Sequence, residues 1–167
     1  VGKPLHLFVI SKEKDFNPAS IQKKDKTVLL VNNGVHPGEP CGIDASLQFA
    51  NDILLNKKDM RQYLENTVIC IVPVYSVGGA LKRTPYIRSN QSTPIESGRR
   101  GNGRNLDLNR DYAKQDSRNV QSLANIFQVW QPDVFLDTHT TNGSDHQHTI
   151  TLIPVQPSTL PTVMEGF

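Results

Sequence analysis

Two apolar runs, TVLLVNN (27–33) and TVICIVPVYS (67–76), do most to fix what this chain can become. Neither alternates apolar with polar residues, which is the pattern of a strand covered on both faces. Between them lies CGIDASLQFANDILLNKKDMRQYLEN (41–66), where Ile43, Leu47, Ala50 and Leu54 recur at helical spacing. That stripe predicts a helix able to pack on a sheet. Strand, helix and strand in this order make a βαβ crossover.

The rest of the chain repeats the alternation. LHLFVIS (5–11) and PDVFLDTHT (132–140) read as strands, HTITLIPV (148–155) as another, and Ser117 to Trp130 as a helix with Val120, Leu123, Ala124 and Phe127 on one face. An α/β sheet with helices on both faces follows. The length of 167 residues suits one domain with a core. No run approaches the roughly 20 apolar residues of a membrane span, and no signal peptide precedes KPLHLFVIS. A processed secretory protein would look the same at this end. Eighteen Lys and Arg against sixteen Asp and Glu leave a net charge of +2, too small to argue for nucleic acid or an anionic membrane. Cys41 and Cys70 form no disulfide framework and read as free thiols. From Gly78 to Arg104 neither period persists, and an irregular stretch of that length inside a compact domain is usually functional or disordered. The last strand has no helix after it to cover it, so the C-terminal part of the fold is expected to be missing.

Ligands in open α/β sheets collect outside the carboxyl ends of the strands. His36 and Glu39 follow the strand at 27–33 on that edge, and His139 ends the strand that begins at Asp133. Two imidazoles and one carboxylate are a known catalytic zinc set, leaving one coordination position for water. A His-x-x-Glu pair alone is common at a helix start, where the glutamate favours the dipole. Here Pro37, Gly38 and Pro40 fix an irregular loop instead of a helix face.

A second stretch, GRRGNGRNLDLNRDY (98–112), could by itself be a solvated basic loop or an anion-binding turn. His36-x-x-Glu39, then Arg100, then DLNRDY, then a lone histidine at a strand end, together resemble the zinc metallocarboxypeptidases of the carboxypeptidase A/B and E/N kind. The resemblance implies a mixed, largely parallel sheet and a single partial catalytic domain over 1–167. It implies one zinc ion held by His36, Glu39 and His139. Arg100, with Arg99 and Arg104 as alternative registers, would be the catalytic residue that polarises the scissile carbonyl. Asn109 and Arg110 match the pair that receives a terminal carboxylate, and a planar guanidinium suits that ligand. Asp107 matches the carboxylate that orients the first zinc histidine. Peptides or small substrates with a free carboxylate are the implied partners, and the resemblance leans toward a secreted or periplasmic location.

Some features depart from the family or stay open. The turn after the third strand reads YSVGGA, unlike the family's usual Asn-Pro-Asp-Gly form. No convincing general base follows His139: Asp145 comes too soon and Glu165 too near the end. Asp145 and His146 read as loop residues or site-shaping groups, and Asp137 as a possible support for His139. The segment 82–110 carries Lys82, Arg83, Arg88, Arg99, Arg100, Arg104 and Arg110 against Glu96 and Asp107, which would attract an anion. Nucleic acid is not expected, because the aromatics of a stacking platform reduce to Tyr86. Two rival functions share these residues: an N-acyl amino acid deacylase of the aspartoacylase or succinylglutamate desuccinylase kind, and a non-catalytic carboxylate-binding module lacking the base.

Overall fold

The computed structural model describes residues 2–86, 94–141 and 144–164. Four strands form one sheet in the order β1-β3-β2-β4. Strand β2 (Thr27–Asn32) runs parallel to β3 (Thr67–Val72) on one side and to β4 (Val134–Asp137) on the other, while β1 (Phe8–Ile10) is antiparallel to β3. The sheet is therefore mixed and largely parallel, and β2 and β3 are the buried pair that their continuous apolar runs require.

Alternation along the central strands separates two cores. Val28, Leu30, Val68, Cys70 and Val72 face one way, against Ile21 of α1 (Pro18–Lys23) and Val120, Leu123 and Trp130 of α4 (Arg118–Trp130). Leu29, Val31, Ile69 and Ile71 face the other way, against Phe49, Ala50 and Ile53 of α2 (Cys41–Leu54) and Leu64 of the 3-10 stretch that follows it. Helix α4 starts where Ser117 Oγ accepts from the Val120 N–H at 3.2 Å, a side-chain cap for an otherwise orphaned donor. A short helix, α3 (Val77–Ala80), occupies the YSVGGA turn. Cys41 and Cys70 are free, and burial pushes the Cys70 thiol up to about 12.

Two expectations are corrected. The buried face of α2 carries Ser46 and Ile53, whereas Leu47 and Leu54 are exposed. A hydrogen bond between Asn33 Nδ2 and Ser46 Oγ, at 3.0 Å, makes a polar residue acceptable on the inner face, while Ala50 of the expected stripe still packs on the sheet. Leu47 and Leu54 instead line an open apolar groove of about 1030 Å³ with Phe8 and Phe16. The run 148–155 forms no strand; Ile150 and Ile153 are 85% and 90% exposed. Apolar pattern selects a face but supplies no neighbouring ladder, and a strand needs one. Arg88 and Glu165 lie outside the described residues.

The shift in helix face has a direct test. Ile53→Ala should cost about 2–5 kcal/mol in urea unfolding, while Leu54→Ala should stay within about 0.5 kcal/mol. Equal losses would contradict the observed face.

Candidate metal centre

The carboxyl ends of β2 and β4 lie side by side, with Asn32 opposite Asp137 in the ladder. Pairing continues one step beyond the strands: Thr138 N–H donates to Asn32 O at 3.0 Å, and Thr138 Oγ1 donates to Asn33 Oδ1 at 2.8 Å. His139 is the next residue, so its position is set by the same ladder. On the β2 side, Gly34 takes φ +65°, a left-handed conformation that glycine adopts without cost, and starts the loop to His36 and Glu39. At Gly42, in the first turn of α2, a Cβ would collide with the Thr138 side chain. Absence of a side chain there lets the helix start approach β4 closely.

The result brings the three expected residues together. His36 and Glu39 are each 3% exposed, while His139 is exposed, with 32% of its side chain open. His36 Nδ1 lies 3.2 Å from Glu39 Oε1, and His139 Nδ1 lies 3.0 Å from Glu39 Oε2. The two rings meet edge to face with centroids 5.2 Å apart. One donor atom from each residue falls within 4.8 Å of the others. The Thr140 N–H also donates to Glu39 Oε2, at 3.1 Å.

Each imidazole turns its other nitrogen to an aspartate. His36 Nε2 is 3.0 Å from Asp107 Oδ1, and His139 Nε2 is 3.1 Å from Asp137 Oδ2. Asp107 is held in turn by Arg100 Nε on Oδ2 at 3.0 Å and by the Asn109 N–H on Oδ1 at 3.0 Å. Burial works to raise the Asp107 carboxyl, but the hydrogen bond from His36 and the charges of His36 and Arg100 leave it below its usual range. Asp137 and Glu39 together raise the His139 imidazolium to about 9.

The DLNRDY segment forms a single 3-10 turn, Leu108–Arg110, with buried Leu108 as its anchor and Asp107 as its cap. Asn109 is partly buried; Arg110 is exposed, with Nη1 donating to Asn109 O at 3.0 Å. Arg99 is exposed, and Arg104 lines a separate polar cavity with Lys3 and Arg118. Arg100 on Asp107 and Arg104 in this other cavity thus do not share one place, since chain proximity is not spatial proximity in an irregular loop. Asp145 and His146 are exposed. Asn32 and Asn33 had no motif to announce them, whereas Tyr112 closes the DLNRDY stretch without its bracing contact being readable there. Two consecutive buried asparagines at a strand end were the available signal.

The donor set fits a zinc ion: two imidazole nitrogens and a carboxylate, with both outer nitrogens backed by carboxylates that keep the inner ones available. The chain matches the zinc carboxypeptidase family, peptidase M14, over residues 1–145. It is 25% identical over 123 residues to probable carboxypeptidase 2 of Arthroderma benhamiae, covering 74% of this chain and 20% of that protein. Carboxypeptidase 2 of Trichophyton tonsurans is 26% identical over the same length, covering 72% and 20%. Among solved structures, a putative carboxypeptidase from Burkholderia mallei superimposes with a TM-score of 0.63 at 17% identity, over 86% of this chain and 33% of that one. A metallo-carboxypeptidase from Pseudomonas aeruginosa, in complex with (2-guanidinoethylmercapto)succinic acid, gives 0.61 at 20% identity, over 87% and 34%. The likeness to these solved structures shows a carboxypeptidase-like fold. This chain belongs to the zinc carboxypeptidase family and spans about a fifth of the curated relatives' length.

Gly42→Ala tests the close approach that aligns the two halves of the cluster. Overpacking against Thr138 should lower unfolding free energy by about 1–3 kcal/mol. An unchanged denaturation midpoint would show that α2 is not held there.

Proposed function

We propose that this chain carries the metal-binding part of a zinc-dependent metallocarboxypeptidase active site, which hydrolyses C-terminal peptide bonds. The observation that carries the reading is the convergence of His36 Nδ1, His139 Nδ1 and the two Glu39 oxygens at hydrogen-bond distance, in a chain of the zinc carboxypeptidase family. When bound, a single zinc ion supplies Lewis-acid charge and a water that ionises near neutral pH.

The residues divide the remaining work. His36, Glu39 and His139 hold the ion, and Asp107 orients His36 through Nε2. Arg100 is tethered to Asp107 by Nε alone among its nitrogens, so its terminal nitrogens can serve as donors to a substrate carbonyl. Developing negative charge on that oxygen is where a fixed cationic donor contributes most. Asn109 and Arg110 receive the terminal carboxylate, for which the exposed guanidinium offers two parallel N–H groups. Among the described residues, the carboxylates touching the imidazoles are Glu39, Asp107 and Asp137, and each is committed to a histidine. The general base is a separate requirement that none of them meets. Deacylase and binding-module readings share the metal set, but the family match favours the peptidase.

In the intact protein, purified material should contain one zinc ion and release the last residue of peptides. Amidating the peptide C-terminus should abolish cleavage. His36→Ala or His139→Ala should remove the zinc. Arg100→Ala should keep it while losing about 3 kcal/mol of transition-state stabilisation, roughly a hundredfold in turnover. Cleavage of N-acyl amino acids but not peptides would reassign the enzyme, and equal turnover would remove Arg100 from catalysis.

A further inference from the structure

His36 and His139 enter the cluster from different elements, yet their surroundings have the same plan. Each directs Nδ1 to Glu39 and Nε2 to an aspartate. Behind His139 the aspartate is itself held by side chains from two other segments. Asp137 Oδ1 accepts from Asn32 Nδ2 at 3.1 Å, while Oδ2 accepts from Tyr112 Oη at 3.2 Å and meets His139 Nε2 at 3.1 Å. Asn32 Nδ2 also donates to Tyr112 Oη, at 3.2 Å, closing a ring of three side chains. Asn32 is fully buried, and the Tyr112 ring stacks on buried Tyr75 with centroids 6.4 Å apart and planes within 8°.

We propose that Asp137, held by Asn32 and Tyr112, is the positioning residue that fixes the tautomer and ring orientation of His139 for metal binding. This deepens the metal-centre reading and rests on it. The argument is one of donors and acceptors. An ionised carboxylate only accepts, so a neutral His139 must carry its proton on Nε2 to engage Asp137, which leaves the Nδ1 lone pair directed at the cluster. Two further donors on Asp137 prevent it from rotating away. Glu39 Oε2 meets the opposite ring nitrogen at 3.0 Å, so the two carboxylates together fix a side chain that is 32% exposed. Strand register makes the assembly possible: Asn32 and Asp137 are ladder partners, so their side chains rise on the same face and meet.

Tyr112 therefore ties the DLNRDY segment to the second histidine, just as Asp107 ties it to the first. One five-residue step along the chain, from Asp107 to Tyr112, supports both imidazoles from behind. A role in holding the fold alone would not give this division, because the contacts end on the nitrogen opposite the metal-facing one.

The test measures zinc affinity of the intact protein by competition with a chromophoric chelator, and the visible absorption spectrum after cobalt(II) substitution. Asp137→Asn should weaken zinc binding about 10–100-fold and shift the cobalt bands, as loss of a partner behind a metal-bound histidine does. Tyr112→Phe, which removes one hydroxyl and keeps the stacked ring, should weaken it by a smaller factor of about 3–10. Should Asp137→Asn fail to fold, Tyr112→Phe decides alone. Zinc affinity within about twofold of wild type with an unshifted cobalt spectrum would overturn the assignment, even if thermal stability falls. A wild-type protein that binds no zinc would overturn the metal centre itself, and this assignment with it.

Discussion

A carboxylate that is 3% exposed and pressed between two imidazoles is the constraint on which the rest of this structure depends. An ionised carboxyl group taken out of water costs several kcal/mol unless it is paired and hydrogen-bonded. Glu39 meets that condition only because β2 and β4 are neighbours whose carboxyl ends stop at the same level. The ladder pairing of Asn32 with Asp137 sets the level, and the close approach of α2 at Gly42 brings the glutamate loop down onto it.

The polar residues around the cluster follow from the same geometry. Two consecutive asparagines end β2, both fully buried, and because strand side chains alternate they serve opposite faces. Asn32 faces the α4 side and braces Asp137 and Tyr112. Asn33 faces the α2 side and binds Ser46, Thr138 and the carbonyl of Val72. The strand end is thus stitched to every element that contributes to the site. Elsewhere apolar surface stays uncovered. Val134, Phe135 and Leu136 of edge strand β4 are 38–50% exposed, although Phe135 meets Phe127 of α4 edge to face with ring centroids 4.9 Å apart.

Much of this was legible in the sequence, for reasons that can be named. Continuous apolar runs at 27–33 and 67–76 identify a buried parallel pair, and topology then assigns His36, Glu39 and His139 to one edge without any knowledge of distances. Asp107 came from its place in DLNRDY. What could not be read depends on register and competition. Ser46 is acceptable on the inner face of α2 because Asn33 satisfies it, an interaction invisible to periodicity. The run at 148–155 has a strand's composition, but ladder partners are not encoded in one segment. Spacing alone suggests that Asp137 supports His139, and the bracing by its ladder partner Asn32 is visible only in the structure. That Arg104 lines a cavity with Lys3 and Arg118, apart from Arg100 on Asp107, depends on loop conformation.

X-ray absorption at the zinc edge of the intact, metal-loaded protein addresses the central claim most directly. Multiple-scattering features from two imidazole rings, with the other atoms bound to the metal being oxygen at about 2.0–2.2 Å, are the expected result. A sulfur scatterer near 2.3 Å, or a shell containing one imidazole or none, would contradict it.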